Sequence, residues 1–203
     1  MEKTRSFKYA AAHILRICSV PPLMVITLIL LLTFKRNDIF LNLTDTVMAI
    51  ICLAVIPALA YPLSVQIPSL REKGREGQRS LAFVLSAVGY VLGFFYGLFR
   101  AESPLLKLIF TTYLVSVICL LLCNKVLKVR ASGHACSVAG ALMISALFLS
   151  RIGVIASLAA YVLILWASVT SGRHTVREYL TGTACCAAAL LISWFCCIIV
   201  PGL

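Results

Sequence analysis

The chain is written as long apolar runs separated by short polar islands. Apolar stretches cover roughly Ala11–Phe34, Thr46–Val65, Leu81–Phe99, Leu105–Leu122, Ala135–Ser150, Ile152–Thr170 and Leu180–Ile199. Most approach the ~20 residues that an α-helix needs to cross a bilayer core. They predict an all-α, polytopic transmembrane bundle of six to seven spans, built as one domain over residues 1–203. The first run is amphipathic at its start, with His13 and Arg16, and then kinked by Pro21-Pro22. Pro57 and Pro62 interrupt the second, and Pro68 ends it. Ser137, Ala139, Gly140 and Ala141 give the fifth a small-residue surface suited to close helix packing.

The polar islands carry the chemistry. Ser69–Ser80 is the most polar, with Arg71, Arg75 and Arg79 recurring every four residues. Gly74 and Gly77 argue against a rigid helix there. The segment reads equally as a connecting loop or as an anion-binding element. A basic, glycine-interrupted decapeptide, Lys125–His134, separates the fourth and fifth runs, and Ser171–Glu178 separates the sixth and seventh. Charges and imidazoles beside lipid are expensive, so their presence calls for a function.

Composition narrows the class. The 203 residues are 62% hydrophobic and 12% charged, with a mean hydropathy of +1.03. A soluble domain carries about twice that charge. Lys and Arg number 18 against 7 Asp and Glu. This excess is confined to the islands, where it suits topology signals and anionic head groups rather than a nucleic-acid partner. The nine cysteines lie almost entirely within apolar runs and form no C-x-x-C pair or zinc-like spacing. They read as small packing residues, and no metal or cofactor is expected. The first run is too long for a signal-peptide core and lacks a cleavage site before Lys35-Arg36.

Counting spans places His134 and His174 on one membrane face, because runs five and six form a hairpin between them. The N-terminus and the 69–80 segment share that face. Lys35, Arg36, Arg100, Lys107 and Arg151 fall opposite, leaving thirteen of the 18 basic residues on the histidine side. Positive-inside logic makes that side cytoplasmic.

Two histidines among many cations suit a phosphate held at the membrane surface. Arg and Lys neutralise its oxygens, while one imidazole attacks phosphorus and the other protonates the leaving oxygen. If the last helix starts at His174, Glu178 lies one turn on and takes the Nδ1 proton, which frees Nε2.

Ser132-Gly133-His134 before a small-residue helix, and His174-Thr175 with an acid at 178 and Gly182, resemble the type-2 phosphatidic acid phosphatase superfamily. That family's pattern is K-x6-R-P, P-S-G-H and S-R-x5-H-x3-D. The layout is also similar to a short bacterial branch, in Pro22-Leu23-Met24, in the Arg75–Arg79 segment and in a lysine ahead of the first histidine. The resemblance implies a phosphatidic acid phosphatase/haloperoxidase-like core in a bacterial inner membrane. It implies a metal-independent lipid phosphatase of phospholipid metabolism, acting on phosphatidate-type or polyprenyl diphosphate lipids. His174 would be the nucleophile, His134 the general acid and Glu178 the orienting acid. Lys125, Lys128, Arg130, Ser132 and Gly133 would hold the phosphate.

Ala131 replaces the proline before Ser-Gly-His, and Ser168 stands where the third motif has arginine. Arg173, Arg177, Arg75 or Arg79 would then have to supply the guanidinium. These departures keep two other readings open. One is a catalytically degenerate lipid-binding or scaffolding protein, and the other is a lipid transporter.

Overall fold

A computed structural model describes residues 2–199, with side chains from Lys8 onward, so the charges of Lys3 and Arg5 lie outside the described side chains. Among the described residues every regular element is helical. In chain order these are α1 (Glu2–Cys18), α2 (Pro21–Lys35), α3 (Leu43–Gln66), α4 (Pro68–Glu72) and α5 (Gly74–Phe99). α6 (Pro104–Val126), α7 (Gly133–Phe148), α8 (Arg151–Thr170) and α9 (Val176–Ile199) follow.

The break between α1 and α2 follows from Pro21-Pro22. Neither ring nitrogen can donate to the preceding turn, so α1 ends and a new helix starts with proline at its first positions. α3 absorbs Pro57 differently. A π-helical turn at Ile51–Val55 precedes the proline, and the helix runs on to Gln66.

α3, α5, α6, α8 and α9 are each long and apolar enough to cross a membrane. Lys8–Cys18 with Pro21–Lys35, bent by 59°, passes the same test as a pair and adds a sixth span if the two halves are one crossing. The expectation of six to seven spans thus narrows to five or six. The shortfall is α7, whose 16 residues rise only about 24 Å against a hydrocarbon core of about 30 Å. α7 is instead enclosed by α2, α6, α8 and α9. Its small residues allow that approach. A Cβ on Gly140 would lie 3.2 Å from the Cys186 sulfur of α9. Large side chains such as Phe34, Phe99, Ile152, Ile155 and Leu191 turn outward, as lipid-facing residues do.

The arginine-rich segment also differs from expectation. α5 begins at Gly74, not near Leu81, because Gly74 takes a positive φ of 52° that reverses the chain out of α4. Gly77 then lets α5 pass against the Leu70 backbone, where any Cβ would collide. Arg75 and Arg79 thus stand on the first turns of a long helix rather than in a loop.

Polar contacts seal the far end of the bundle. The Arg36 guanidinium donates to both carboxylate oxygens of Asp38, at 2.8 and 2.7 Å, and to the Phe148 carbonyl at the end of α7, at 2.9 Å. The Ser103 hydroxyl, at the start of α6, donates to the Asp38 carbonyl at 2.8 Å. The starts of α7 and α9 lie together at the other end.

Candidate active site where two helices begin

α7 and α9 start side by side, and each start is built from backbone chemistry. Ser132 caps α7 by accepting the Ala135 N–H on its Oγ at 3.1 Å. Its own N–H donates to the Glu178 carbonyl at 3.0 Å, which ties the two first turns together. Gly182 makes the approach feasible, since a Cβ there would collide with the Ser132 carbonyl. Asn124 pins the connection leading into α7. Its amide donates to the Leu120 and Ala131 carbonyls and accepts from the Ala131 N–H.

α9 does not start at His174. Thr175 is its N-cap, and Glu178 occupies the third helical position in a complete capping box. The Thr175 Oγ1 accepts the Glu178 N–H at 3.1 Å, and Glu178 Oε2 accepts the Thr175 N–H at 3.2 Å. His174 therefore precedes the helix. Its pairing with Glu178 comes from the cap rather than from two positions on one helical face.

That cap orients the imidazole. Glu178 Oε2 lies 3.5 Å from His174 Nδ1, and Oε1 pairs with Arg130 Nε at 3.1 Å. The carboxylate favours a proton on Nδ1, which leaves the Nε2 lone pair free. Nε2 faces Ser132 Oγ at 3.2 Å. With the proton on Nδ1, Nε2 is the acceptor, so the Ser132 hydroxyl donates to the imidazole. Burial lowers the His174 pKa below its usual value, and the positive charges of Arg75 and Arg79 add to this. The hydrogen bond and charge of Glu178 pull the other way.

His134 follows Gly133 on the first turn of α7. Its ring stacks near that of His174, with centroids 6.3 Å apart and planes 13° from parallel. Burial pushes its pKa down to about 4, and the neighbouring His174 and Arg16 push the same way. His134 is thus neutral at rest. Among the described residues its buried Nε2 has no hydrogen-bond partner, and neither does the buried Nε of Arg16.

A cavity of about 790 Å³ opens beside these rings. Its polar wall includes His134, His174, Gly133, Arg75, Arg79, Lys125 and Arg130. Ser132 sits just behind, 1% exposed, in contact through His174. Of the remaining cations named from sequence, Lys128, Arg173 and Arg177 are exposed and do not line the cavity. Lys128 adopts a positive φ of 53° in the connection before α7. Arg173 contributes only its carbonyl, which accepts from Arg75 Nη2 at 3.3 Å. Ser168, at the motif-arginine position, is buried, and its hydroxyl has no partner among the described residues.

Two contributors escaped the sequence reading. Asn124 carried no motif signal. Arg16 did carry one, as a lone charge within an apolar run, and the capping pattern Thr175-x-x-Glu178 was legible by spacing. Compared with known proteins, the chain matches no family model, no curated protein and no solved structure.

Proposed function

We propose that the protein is a membrane-embedded phosphatase that hydrolyses a lipid phosphate monoester or diphosphate through a phosphohistidine on His174. The observation that carries this reading is the pair of near-parallel imidazoles, 6.3 Å apart, on the wall of one arginine- and lysine-lined cavity. In this scheme Arg75, Arg79, Lys125 and Arg130 hold the phosphate oxygens. His174 Nε2 is released by Ser132 and attacks phosphorus. The bond from phosphorus to the lipid oxygen breaks as a proton passes from His134 to that oxygen. Water then attacks the phosphohistidine, inorganic phosphate leaves, and His134 recovers its proton from that water. His134 is neutral when the site is empty, so it takes up a proton from solvent as the phosphate anion settles beside it, and that proton is the one passed to the lipid oxygen.

The short motifs around Ser132-Gly133-His134 and His174 support placement beside the type-2 phosphatidic acid phosphatases, in a bacterial inner membrane. Under that reading Arg75 and Arg79 take over the charge that Ser168 cannot supply. The neutral resting state of His134 favours one rival, a non-catalytic binder of lipid phosphates. Phosphate release by purified protein from phosphatidic acid and from a polyprenyl diphosphate separates them. Release should disappear in His174→Ala and fall by roughly 10²- to 10⁴-fold in His134→Ala. Lipid binding without release would establish the rival.

A further inference from the structure

The nine cysteines are scattered along the sequence, but the fold gathers five of them. Cys119 and Cys123 of α6, Cys136 of α7, and Cys185 and Cys186 of α9 share one apolar cluster with Leu120, Ala131 and Ala139. Packing alone accounts for small thiols at helix crossings, but not for thiols aimed at one another. The Cys185 thiol donates to the Cys123 sulfur at 3.5 Å, and both are free. A disulfide bond is about 2.05 Å long, so the two sulfurs need to close by only about 1.5 Å.

Their exposure suits stepwise oxidation. Cys123 is half-buried, whereas Cys185 is buried. The first meets a small oxidant, and the second stands beside it to close the bond. Cys136 and Cys186 also face each other, but both are buried, so neither offers an entry point.

The pair lies directly behind the histidine site. Cys123 precedes Asn124, whose side chain holds the Ala131 backbone just before Ser132. The Cys123 carbonyl accepts the Val129 N–H of the same connection at 2.9 Å. Cys185 comes about one turn after Gly182 on α9, and Gly182 packs against the Ser132 carbonyl. A bond between the two sulfurs would tie together the two elements that hold Ser132.

We propose that Cys123 and Cys185 are a redox-responsive pair, which a peroxide closes to a disulfide clamping α6 to α9 and a thiol reductant reopens. The Cys123 thiolate attacks one oxygen of the peroxide, and the O–O bond breaks. A sulfenic acid forms on Cys123, and the departing hydroxide takes up the thiol proton as water. The Cys185 sulfur then attacks the Cys123 sulfur, the S–O bond breaks, and a second water leaves. Two electrons pass from the two thiols to the peroxide. In a reducing compartment the open pair is the resting state, and closure reports the oxidant.

The test treats the full-length protein in detergent with hydrogen peroxide, then denatures it, alkylates the remaining thiols and maps the digest by mass spectrometry. A peptide pair joined through Cys123 and Cys185 should appear, and it should vanish after dithiothreitol. The bridge spans 62 positions of sequence, so the oxidised protein should melt several degrees higher than the reduced one. Cys123→Ala and Cys185→Ala should each lose both the joined peptides and the shift. Full alkylation of all nine thiols after peroxide would overturn the proposal, and so would a bridge between another pair, such as Cys136 with Cys186. A melting shift that persists in Cys123→Ala would overturn the clamp. The peptide map of the unmodified protein decides the question even where a variant fails to fold.

Discussion

Ser132 Oγ lies 3.2 Å from His174 Nε2 while also accepting the Ala135 N–H at 3.1 Å. One side chain therefore caps α7 and holds the free nitrogen of an imidazole that stands at the start of α9. Ser132→Ala should cost about 1 kcal/mol as a lost cap, read from thermal unfolding in detergent. It should also lower phosphate release by more than that loss explains. A stability change with unaltered turnover would reduce Ser132 to a cap.

Glu178 offers a cleaner separation of structure from chemistry. Glutamine still caps at the third helical position, so Glu178→Gln should leave melting nearly unchanged. It removes the negative charge shared by His174 and Arg130, and turnover should drop at least tenfold. Thr175→Ala is the counterpart, expected to cost about 1 kcal/mol of stability with a smaller effect on rate.

The cations divide by position. Arg75→Gln and Arg79→Gln remove guanidinium groups from the cavity wall, and each should lower kcat by roughly a hundredfold. Arg173→Gln and Arg177→Gln lie outside it and should stay within about twofold. Comparable losses from all four would mean that a general surface charge, rather than a built site, attracts the lipid.

Acid should silence the site late. Burial, reinforced by Arg75 and Arg79, outweighs Glu178 and holds His174 below its usual 6.5, so the nucleophile stays neutral below that pH. The acid limb of the kcat profile should therefore fall below pH 6.5. Replacing Arg75 or Arg79 by Gln removes a positive neighbour and raises the pKa, which moves that limb to higher pH. Stability follows the same sign. The native state resists the proton, so the His174 contribution is present above about 6.5 and is lost as pH falls from there through the lower native pKa. An acid limb that ignores both arginine variants would disconnect them from His174.

The bundle was legible because apolar length is written directly in sequence. The helix that misled the count, α7, is apolar and small-residued like a span, and only its neighbours reveal that it is enclosed rather than lipid-facing. The meeting of His134 and His174 followed from hairpin logic, but the place of Arg75 and Arg79 on the first turns of a long helix did not. Gly74 and Gly77 looked like helix breakers, whereas one turns the chain and the other admits a neighbouring backbone. Arg16 was visible as a charge out of place, yet its position beside His134 depends on how α1 folds back over α8.

The central claim is a covalent phosphate on one nitrogen. Purified protein quenched in alkali during turnover of phosphatidic acid, then digested and analysed by mass spectrometry, should yield an acid-labile phosphate on the peptide containing His174. That phosphate should accumulate in His134→Ala if the variant slows dephosphorylation more than attack, and be absent in His174→Ala. Phosphate release that continues in His174→Ala, or a phosphate trapped on any other residue, would contradict the account.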